Sequence, residues 1–187
     1  MSFEAVRAAY ASRAVEYIEA VGGIEHVTDS DLDDVRAWAV GIDGRVLDVG
    51  SGPGQWTDYL RRAGVEIEGL EPVAEFLVDA RRRYPGSSFR EGRAEELGVA
   101  DGSLGGILAW YSLIHTDPAA LGAVLEEFAR ALGPGGGLLI GFFTGSELRP
   151  STTRSSAPTT GPPISSRRPS RAPDSPSWTA GSISTRN

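Results

Sequence analysis

The segment Val46–Thr57 places an acid and three glycines together in an order typical of small-ligand sites. Its apolar start predicts a short strand, and Gly50, Gly52 and Gly54 follow it. Glycine lets the chain turn tightly and leaves no Cβ between the main chain and a ligand. Asp48, one residue before the strand ends, would put a carboxylate beside a cationic or amine-bearing ligand; the alternative is a structural role at the start of the next helix. We expect a strand, a ligand-binding turn and a helix, the arrangement by which α/β folds bring a small cofactor close to backbone.

A second acid, Glu71, ends the next predicted strand, Val65–Leu70. An acid at this distance from a glycine turn suits the hydroxyl pair of a nucleoside's ribose. The dinucleotide fingerprint would require glycine where Gln55 stands, which makes a nicotinamide-dependent oxidoreductase the weaker interpretation. Glu71 also precedes a proline at a predicted helix start. Its carboxylate could therefore serve the helix dipole, a role that is compatible with ribose binding.

Aromatic and imidazole side chains follow the fourth predicted strand, at the end of the strand where open α/β sheets bind ligands. They are Trp110, Tyr111 and His115. His115 is the candidate general base, because the second histidine, His26, falls in a leading loop. The alternative for His115 is a purely structural histidine.

Alternating strand and helix patterns would position these residues. Five strands with interleaved helices are predicted, which indicates an α/β fold with a doubly wound, mostly parallel sheet. The fifth strand, Gly137–Phe143, has the continuous apolar run of a strand buried on both faces. One helix over residues 2–20 and a second over residues 31–40, capped by Asp29 or Ser30, are predicted to precede the sheet.

Composition limits the class of protein. The 187 residues include no cysteine, so disulfides, thiol catalysis and zinc–cysteine sites are excluded. The sequence has no apolar run near the roughly 20 residues of a spanning helix, and we expect a cytoplasmic protein without a membrane partner. Residues 1–148 hold 24 of the 25 acidic side chains and 12 of the 18 arginines. Such an acidic body repels a phosphate backbone, so nucleic acid is not expected as a partner.

The composition changes abruptly at Arg149 to serine, threonine, proline and arginine. Residues 149–187 lack apolar periodicity and are predicted to be a disordered tail. One interpretation of this segment is a solvated tail, and another is a basic tail that binds nucleic acid. A third is translation out of frame, because misread GC-rich codons yield this composition. A disordered tail would leave the edge of the fifth strand unpaired and favour self-association through that edge.

Together these features resemble the class I S-adenosylmethionine-dependent methyltransferases, in particular the small-molecule group of the ubiquinone and menaquinone biosynthesis methyltransferases. The stretches that carry the resemblance are Val46–Leu60, Gly69–Ala80, Gly92–Leu97, Asp101–His115 and Leu132–Phe143. The resemblance implies a three-layer Rossmann-like fold in residues 1–148, with leading helices (1–44) before a βα core (45–148). It also implies further strands after residue 148, so we expect the fold to lack its last strands.

The resemblance implies S-adenosyl-L-methionine as cofactor and assigns the residues around it. Cofactor contacts are implied for Asp48, Gly50, Ser51, Gly52, Gly54, Glu71, Ala94, Glu95 and Trp110. Substrate contacts are implied for Tyr10, Arg13, Tyr17 and Tyr111, the two helical tyrosines having packing within the helix as their alternative. Where the family usually has an acidic or amide side chain for the adenine amino group, Arg93 stands, and arginine cannot accept a hydrogen bond. The backbone N–H of Ala94 and the carboxylate of Glu95 are the substitutes.

The function implied is S-adenosylmethionine-dependent methyl transfer to a small-molecule acceptor. Transfer from a sulfonium is an in-line displacement, in which the protein aligns the reactants and excludes water. A base such as His115 is needed only where the acceptor must lose a proton. No metal is implied. A non-catalytic or truncated cofactor-binding protein and an NAD-dependent oxidoreductase are the alternatives.

Overall fold

The computed structural model describes residues 3–143 and, for their backbone only, residues 181–184. The helices are α1 Phe3–Ser12, α2 Ala14–Val21, α3 Asp29–Val40, α4 Gln55–Arg62, α5 Ala74–Arg83 and α6 Pro118–Ala131. The strands are β1 Val46–Val49, β2 Ile67–Glu71, β3 Ser88–Glu91, β4 Leu104–Trp110, β5 Leu132–Gly141 and β6 Gly181–Ser184. These elements belong to one compact unit.

The sheet has the strand order β3-β2-β1-β4-β5-β6. The first five strands run parallel, with Val46 of β1 opposite Ile67 of β2 and Gly106 of β4, whereas β6 is antiparallel to β5. The predicted fold class, a doubly wound and mostly parallel α/β sheet, is confirmed. The strand order reverses between β1 and β4, and such a switch point is where open α/β sheets bind ligands.

Strand alternation divides the core between the two faces of the sheet. Leu47 of β1 packs in one cluster with Phe128 of α6. Its neighbour Val46 packs in another cluster, with Val35 of α3 and Leu60 of α4. Helices therefore cover both faces of the sheet, which gives the expected three layers.

The leading segment forms two helices where the sequence predicted one over residues 2–20. The break falls at Arg13, whose backbone leaves the helical region at φ −123° and ψ 19°. The Ser12 hydroxyl donates to the carbonyl of Ala9 at 2.9 Å, a local bond that competes with helix continuation. Directly after the break, Ala14 packs in a buried cluster with Phe76 of α5.

The next helix begins two residues earlier than predicted, and its cap is Thr28 rather than Asp29 or Ser30. The Thr28 hydroxyl accepts a bond from the backbone N–H of Asp31 at 3.2 Å. A hydroxyl at this position satisfies one of the free donors of the first helical turn. None of the helices in residues 3–143 combines the length and apolar character that a bilayer crossing requires.

The strand β6 lies within the segment that the sequence predicted to be a disordered tail. Its four residues pair with Gly137–Ile140 of β5, so this part of the β5 edge is not left unpaired as expected. Backbone hydrogen bonding explains the pairing, because an open strand edge offers donors and acceptors to any extended segment. The rest of the predicted tail and the predicted boundary at residue 148 lie outside the described residues.

Candidate functional site

A cavity of about 190 Å³ opens at the carboxyl ends of β1, β2 and β4, beneath α1. The glycine turn after β1, the end of β2, the turn after β3, the β4–α6 loop and one face of α1 form its walls. The cavity therefore lies at the switch point of the sheet, where the α/β topology predicts a ligand.

The three glycines of the turn adopt positive φ angles for three different reasons. A Cβ on Gly52 (φ +55°) would meet no atom within 4 Å, because this residue faces the cavity. A Cβ on Gly50 (φ +73°) would lie 2.4 Å from the Cβ of Ser112. A Cβ on Gly54 (φ +87°) would lie 2.6 Å from the ring of Phe89. Gly52 thus gives a ligand access to backbone, whereas Gly50 and Gly54 allow close packing around the turn.

Glu71 is buried at the end of β2, on the cavity wall. Its carboxylate accepts the backbone N–H of Gly52 and the backbone N–H of Val73, each at 2.8 Å. Burial raises the pKa of Glu71 to about 7, although the two backbone hydrogen bonds lower it. A carboxylate has about four acceptor sites, so the two oxygens can still accept hydroxyl groups of a ligand.

Asp48 is buried in β1 and does not line the cavity. Its carboxylate accepts the hydroxyl of Thr57 of α4 at 2.7 Å, and burial raises the pKa of Asp48 to about 7. Asp48 has the same pleat orientation as Val46, which directs both side chains to the α4 face. Its geometry therefore supports the structural alternative, and a ligand contact by Asp48 stays a prediction.

The end of β4 places aromatic and polar groups opposite the glycine turn. Tyr111 has φ 56°, the one non-glycine residue in the described part of the chain with a positive φ. Strain of this kind clusters at binding sites, where the surrounding packing maintains it. Next to it, the buried hydroxyl oxygen of Ser112 has no hydrogen-bond partner among the described residues. A buried hydroxyl on a cavity wall without a partner is available to a ligand.

The leading helices contribute an aromatic cluster to the cavity. The Tyr10 ring lies 5.4 Å from Tyr17, 6.0 Å from Phe76 and 5.8 Å from His115, measured between ring centroids. Burial and then the charge of Glu71 raise the pKa of Tyr10, and burial raises the pKa of Tyr17 to about 12. Both phenols are therefore protonated at neutral pH and can donate hydrogen bonds.

The cavity brings together ten of the fourteen residues that the sequence singled out. They are Tyr10, Tyr17, Gly50, Gly52, Glu71, Ala94, Glu95, Trp110, Tyr111 and His115. Asp48, Ser51 and Gly54 lie outside the cavity lining. Arg13 also lies elsewhere, because its exposed side chain pairs with Glu16 at 2.9 Å on the outer side of α2. Substrate binding by Arg13 and cofactor contacts by Ser51 and Gly54 stay predictions.

Several residues of the cavity wall were not predicted from the sequence. Among them are Phe3, Val6, Arg7, Phe76 and Ser112. Helical spacing would have found the first three, because they share one face of α1 with Tyr10. No sequence signal marks Ser112, since its role depends on how the β4–α6 loop meets the glycine turn.

Comparison with known proteins places the chain beside methyltransferases. The family described as "Methyltransferase domain" matches residues 46–136. An uncharacterised methyltransferase of Mycobacterium tuberculosis is 31% identical over 126 residues, which are 67% of this chain and 51% of the relative. A demethylmenaquinone methyltransferase of Chlorobaculum parvum is 33% identical over 93 residues, 49% of this chain and 38% of the relative. The chain spans about half, or less, of the length of these relatives.

A solved structure from Thermotoga maritima shares the fold. It is described as a SAM-dependent methyltransferase and a possible histamine N-methyltransferase. Its sequence is 26% identical, the TM-score is 0.57, and the match covers 70% of this chain and 58% of that chain.

Proposed function

We propose that this chain, whose residues 46–136 match the family described as "Methyltransferase domain", is a class I S-adenosyl-L-methionine-dependent methyltransferase that transfers a methyl group from that cofactor to a small-molecule acceptor. One observation carries the proposal above the others. The open face of Gly52 and the buried carboxylate of Glu71 meet in a single cavity at the switch point of the sheet. A nucleoside with an attached amino acid requires protein backbone that it can approach closely and, beside it, a hydrogen-bond acceptor for the ribose hydroxyls.

The residues around the cavity fit S-adenosyl-L-methionine. Glu71 has acceptor capacity for the two ribose hydroxyls, and the space beside Gly52 is free of side chains. On the cavity wall, the buried hydroxyl of Ser112 has no hydrogen-bond partner within the part of the chain that the structure describes. The cofactor when bound supplies a methyl group on a positively charged sulfur, and the thioether that leaves is neutral.

The protein's own contribution is orientation and exclusion of water. Phe3, Val6 and Tyr10 of α1 cover the cavity with apolar surface, and Phe76 closes the side toward α5. Holding two reactants in line in a covered site supplies most of the acceleration that such a displacement requires. The His115 imidazole contacts the Tyr10 ring and lies on the cavity wall formed by the β4–α6 loop. We assign His115 to remove a proton from a hydroxyl or carbon acceptor.

The acceptor in this proposal is a small molecule with an apolar or aromatic body. The aromatic cluster of Tyr10, Tyr17 and Phe76 supports this class, because aromatic rings prefer offset and edge contacts with other rings. The demethylmenaquinone methyltransferase among the relatives supports it from a second direction. Cytoplasmic localisation and the lack of a nucleic-acid partner stay predictions.

A methyl-transfer assay tests the proposal. The full chain is incubated with methyl-tritiated S-adenosyl-L-methionine and, separately, with hydroquinones, carboxylic acids and primary amines. We expect label in the hydroquinone fraction and a strong reduction in the Glu71→Ala variant. Binding of the cofactor without label transfer to any acceptor class would instead favour the non-catalytic alternative. Failure to bind the cofactor would contradict the proposal altogether.

A further inference from the structure

One guanidinium lies on the wall of the cavity, on the face of α1 that covers it. Among the described residues that line the cavity, Arg7 is the only arginine, and the sequence contains no lysine. Arg7 shares its helix face with Phe3 and Tyr10, because residues three and four positions apart are neighbours on a helix. Neither the cofactor contacts nor the proton removal of the proposed function uses this cation.

Two aromatic contacts hold α1 on either side of Arg7. Before it, the Phe3 ring centroid lies 3.8 Å from the guanidinium carbon of Arg93, a cation–π contact with the turn after β3. After it, the Tyr10 ring lies 6.0 Å from the ring of Phe76 of α5, measured between centroids. The backbone of Arg7 is therefore held on the cavity wall, and only its long side chain can change partner.

The partner of Arg7 is an exposed acid on the same helix. The Nε and Nη2 atoms of Arg7 donate to one carboxylate oxygen of Glu4 at 3.1 Å and 2.9 Å. The side chains of Arg7 and Glu4 are 44% and 66% exposed. An ion pair this exposed contributes little to stability, because water competes for both charges. A carboxylate on a ligand can therefore replace Glu4 at little cost.

The other charged side chains that the structure describes on this wall are acids. Glu71 and Glu95 follow β2 and β3, and Asp117 caps α6 by accepting the N–H of Ala119 at 3.0 Å. These carboxylates repel a negatively charged group on an acceptor, and only Arg7 can offset the repulsion. An anionic acceptor is therefore favoured in one orientation, with its negative group at Arg7.

The helical repeat separates Arg7 from His115 by about the length of an aromatic ring. The ring of Tyr10 lies 5.8 Å from the ring of His115, measured between centroids. Arg7 precedes Tyr10 by three residues, which is about 4.5 Å along the helix axis. A phenol whose hydroxyl points to His115 can thus lie along Tyr10 with its opposite end toward Arg7. A benzene ring with substituents at opposite ends spans a comparable distance.

We infer that Arg7 binds a carboxylate of the methyl acceptor, which is a phenol or hydroquinone with an acidic group at the end opposite its hydroxyl. This inference rests on the proposed function and names its acceptor class more closely. Arg7 sets specificity and orients the acceptor, and it takes no part in proton removal. Arginine suits this role, because its planar guanidinium donates two parallel hydrogen bonds to a carboxylate.

Calorimetric titration of the full chain, saturated with S-adenosylhomocysteine, tests the inference. The two ligands are para-hydroxyphenylacetate and its primary amide, which have nearly the same shape and differ in charge. We expect the parent protein to bind the carboxylate about tenfold more tightly, the effect of one hydrogen-bonded charge pair. The ratio of the two affinities should fall to about one in Arg7→Gln. Arg7→Lys should keep part of the ratio, because the charge remains and the planar fork does not.

Further variants separate a contact by Arg7 from a general effect on the fold. Glu4→Gln should raise the ratio severalfold, because it removes the acid that competes with the ligand. Arg82→Gln is the matched control, because Arg82 is an exposed arginine that also pairs with an acid three residues before it, on α5 and outside the cavity lining. It should leave the ratio unchanged. A general loss of folding would weaken both ligands equally and also leave the ratio unchanged.

Arg13→Gln tests the rival assignment, since Arg13 is the arginine that the resemblance implied for the substrate. A ratio that is lost in Arg13→Gln and kept in Arg7→Gln would overturn the inference in favour of Arg13. Equal binding of the two ligands by the parent protein, or binding of neither, would overturn it while leaving the proposed function intact. Failure of the parent protein to bind S-adenosylhomocysteine would contradict the proposed function, and the inference with it.

Discussion

Substitution of Gly52 by valine should strongly weaken cofactor binding without unfolding the protein. A Cβ on this residue would meet nothing within 4 Å, so the first atom of the new side chain has open space around it. The new side chain projects into the cavity that Gly52 lines. The two effects, on stability and on binding, have separate magnitudes.

The cost to stability follows from the backbone conformation alone. At φ +55°, a residue with a Cβ is strained by about 1–2 kcal/mol, and a β-branched one is at the upper end. The cost to binding comes from overpacking the site, about 1–3 kcal/mol, or roughly tenfold to hundredfold in affinity. Gly64→Val is the matched control, because Gly64 also has a positive φ (+91°) and open space but lies outside the cavity lining.

Urea unfolding and calorimetric titration with S-adenosylhomocysteine measure the two quantities on the same samples. We expect both variants to lose similar amounts of unfolding free energy. Only Gly52→Val should lose affinity by tenfold or more. A folded Gly52→Val protein that binds as tightly as the parent would refute the placement of the ligand beside this turn.

Three further predictions test other parts of the site. Burial raises the pKa of Glu71 to about 7, and only its carboxylate form accepts both ribose hydroxyls. The affinity for 5′-methylthioadenosine should therefore fall roughly tenfold between pH 8 and pH 6, and Glu71→Gln should abolish this pH dependence. Burial raises the pKa values of both Glu71 and Asp48, so between pH 7 and pH 4.5 the folded state takes up protons that the unfolded state does not. The free energy of unfolding of the unliganded protein should therefore rise as the pH falls over this range. A free energy from urea unfolding that stays constant over this range would contradict the prediction. Thr57→Val should lower the free energy of unfolding by about 1–3 kcal/mol, measured by urea unfolding, because it removes the hydroxyl that donates a hydrogen bond to buried Asp48. An unchanged unfolding midpoint would show that the Asp48 carboxylate has another hydrogen-bond donor.

The part of the site that sequence predicted well is local. The glycine turn and Glu71 each follow directly from a strand that the apolar pattern marks, so their place at a strand end needs no long-range information. Parallel strands put such ends on one edge of the sheet, which brought Glu71 and Gly52 within hydrogen-bond distance across 19 residues of chain.

The part that sequence predicted less well depends on packing between elements. Asp48 faces α4 because of the pleat, and its partner Thr57 is known only once α4 has docked. No proline or glycine marks the helix break at Arg13, whose exposed side chain pairs with Glu16. Phe3 lines the cavity and contacts Arg93, and a contact between residues 90 positions apart in the sequence is known only from the folded structure.

The most direct test of the central claim is a calorimetric titration of the full chain with S-adenosyl-L-methionine and, separately, with NAD. The site described here predicts saturable binding of one S-adenosyl-L-methionine per chain, weakened at least tenfold in Gly52→Val, and no saturable binding of NAD. Saturable binding of NAD in place of S-adenosyl-L-methionine, or binding of neither, would contradict the claim that this cavity is a methyltransferase cofactor site.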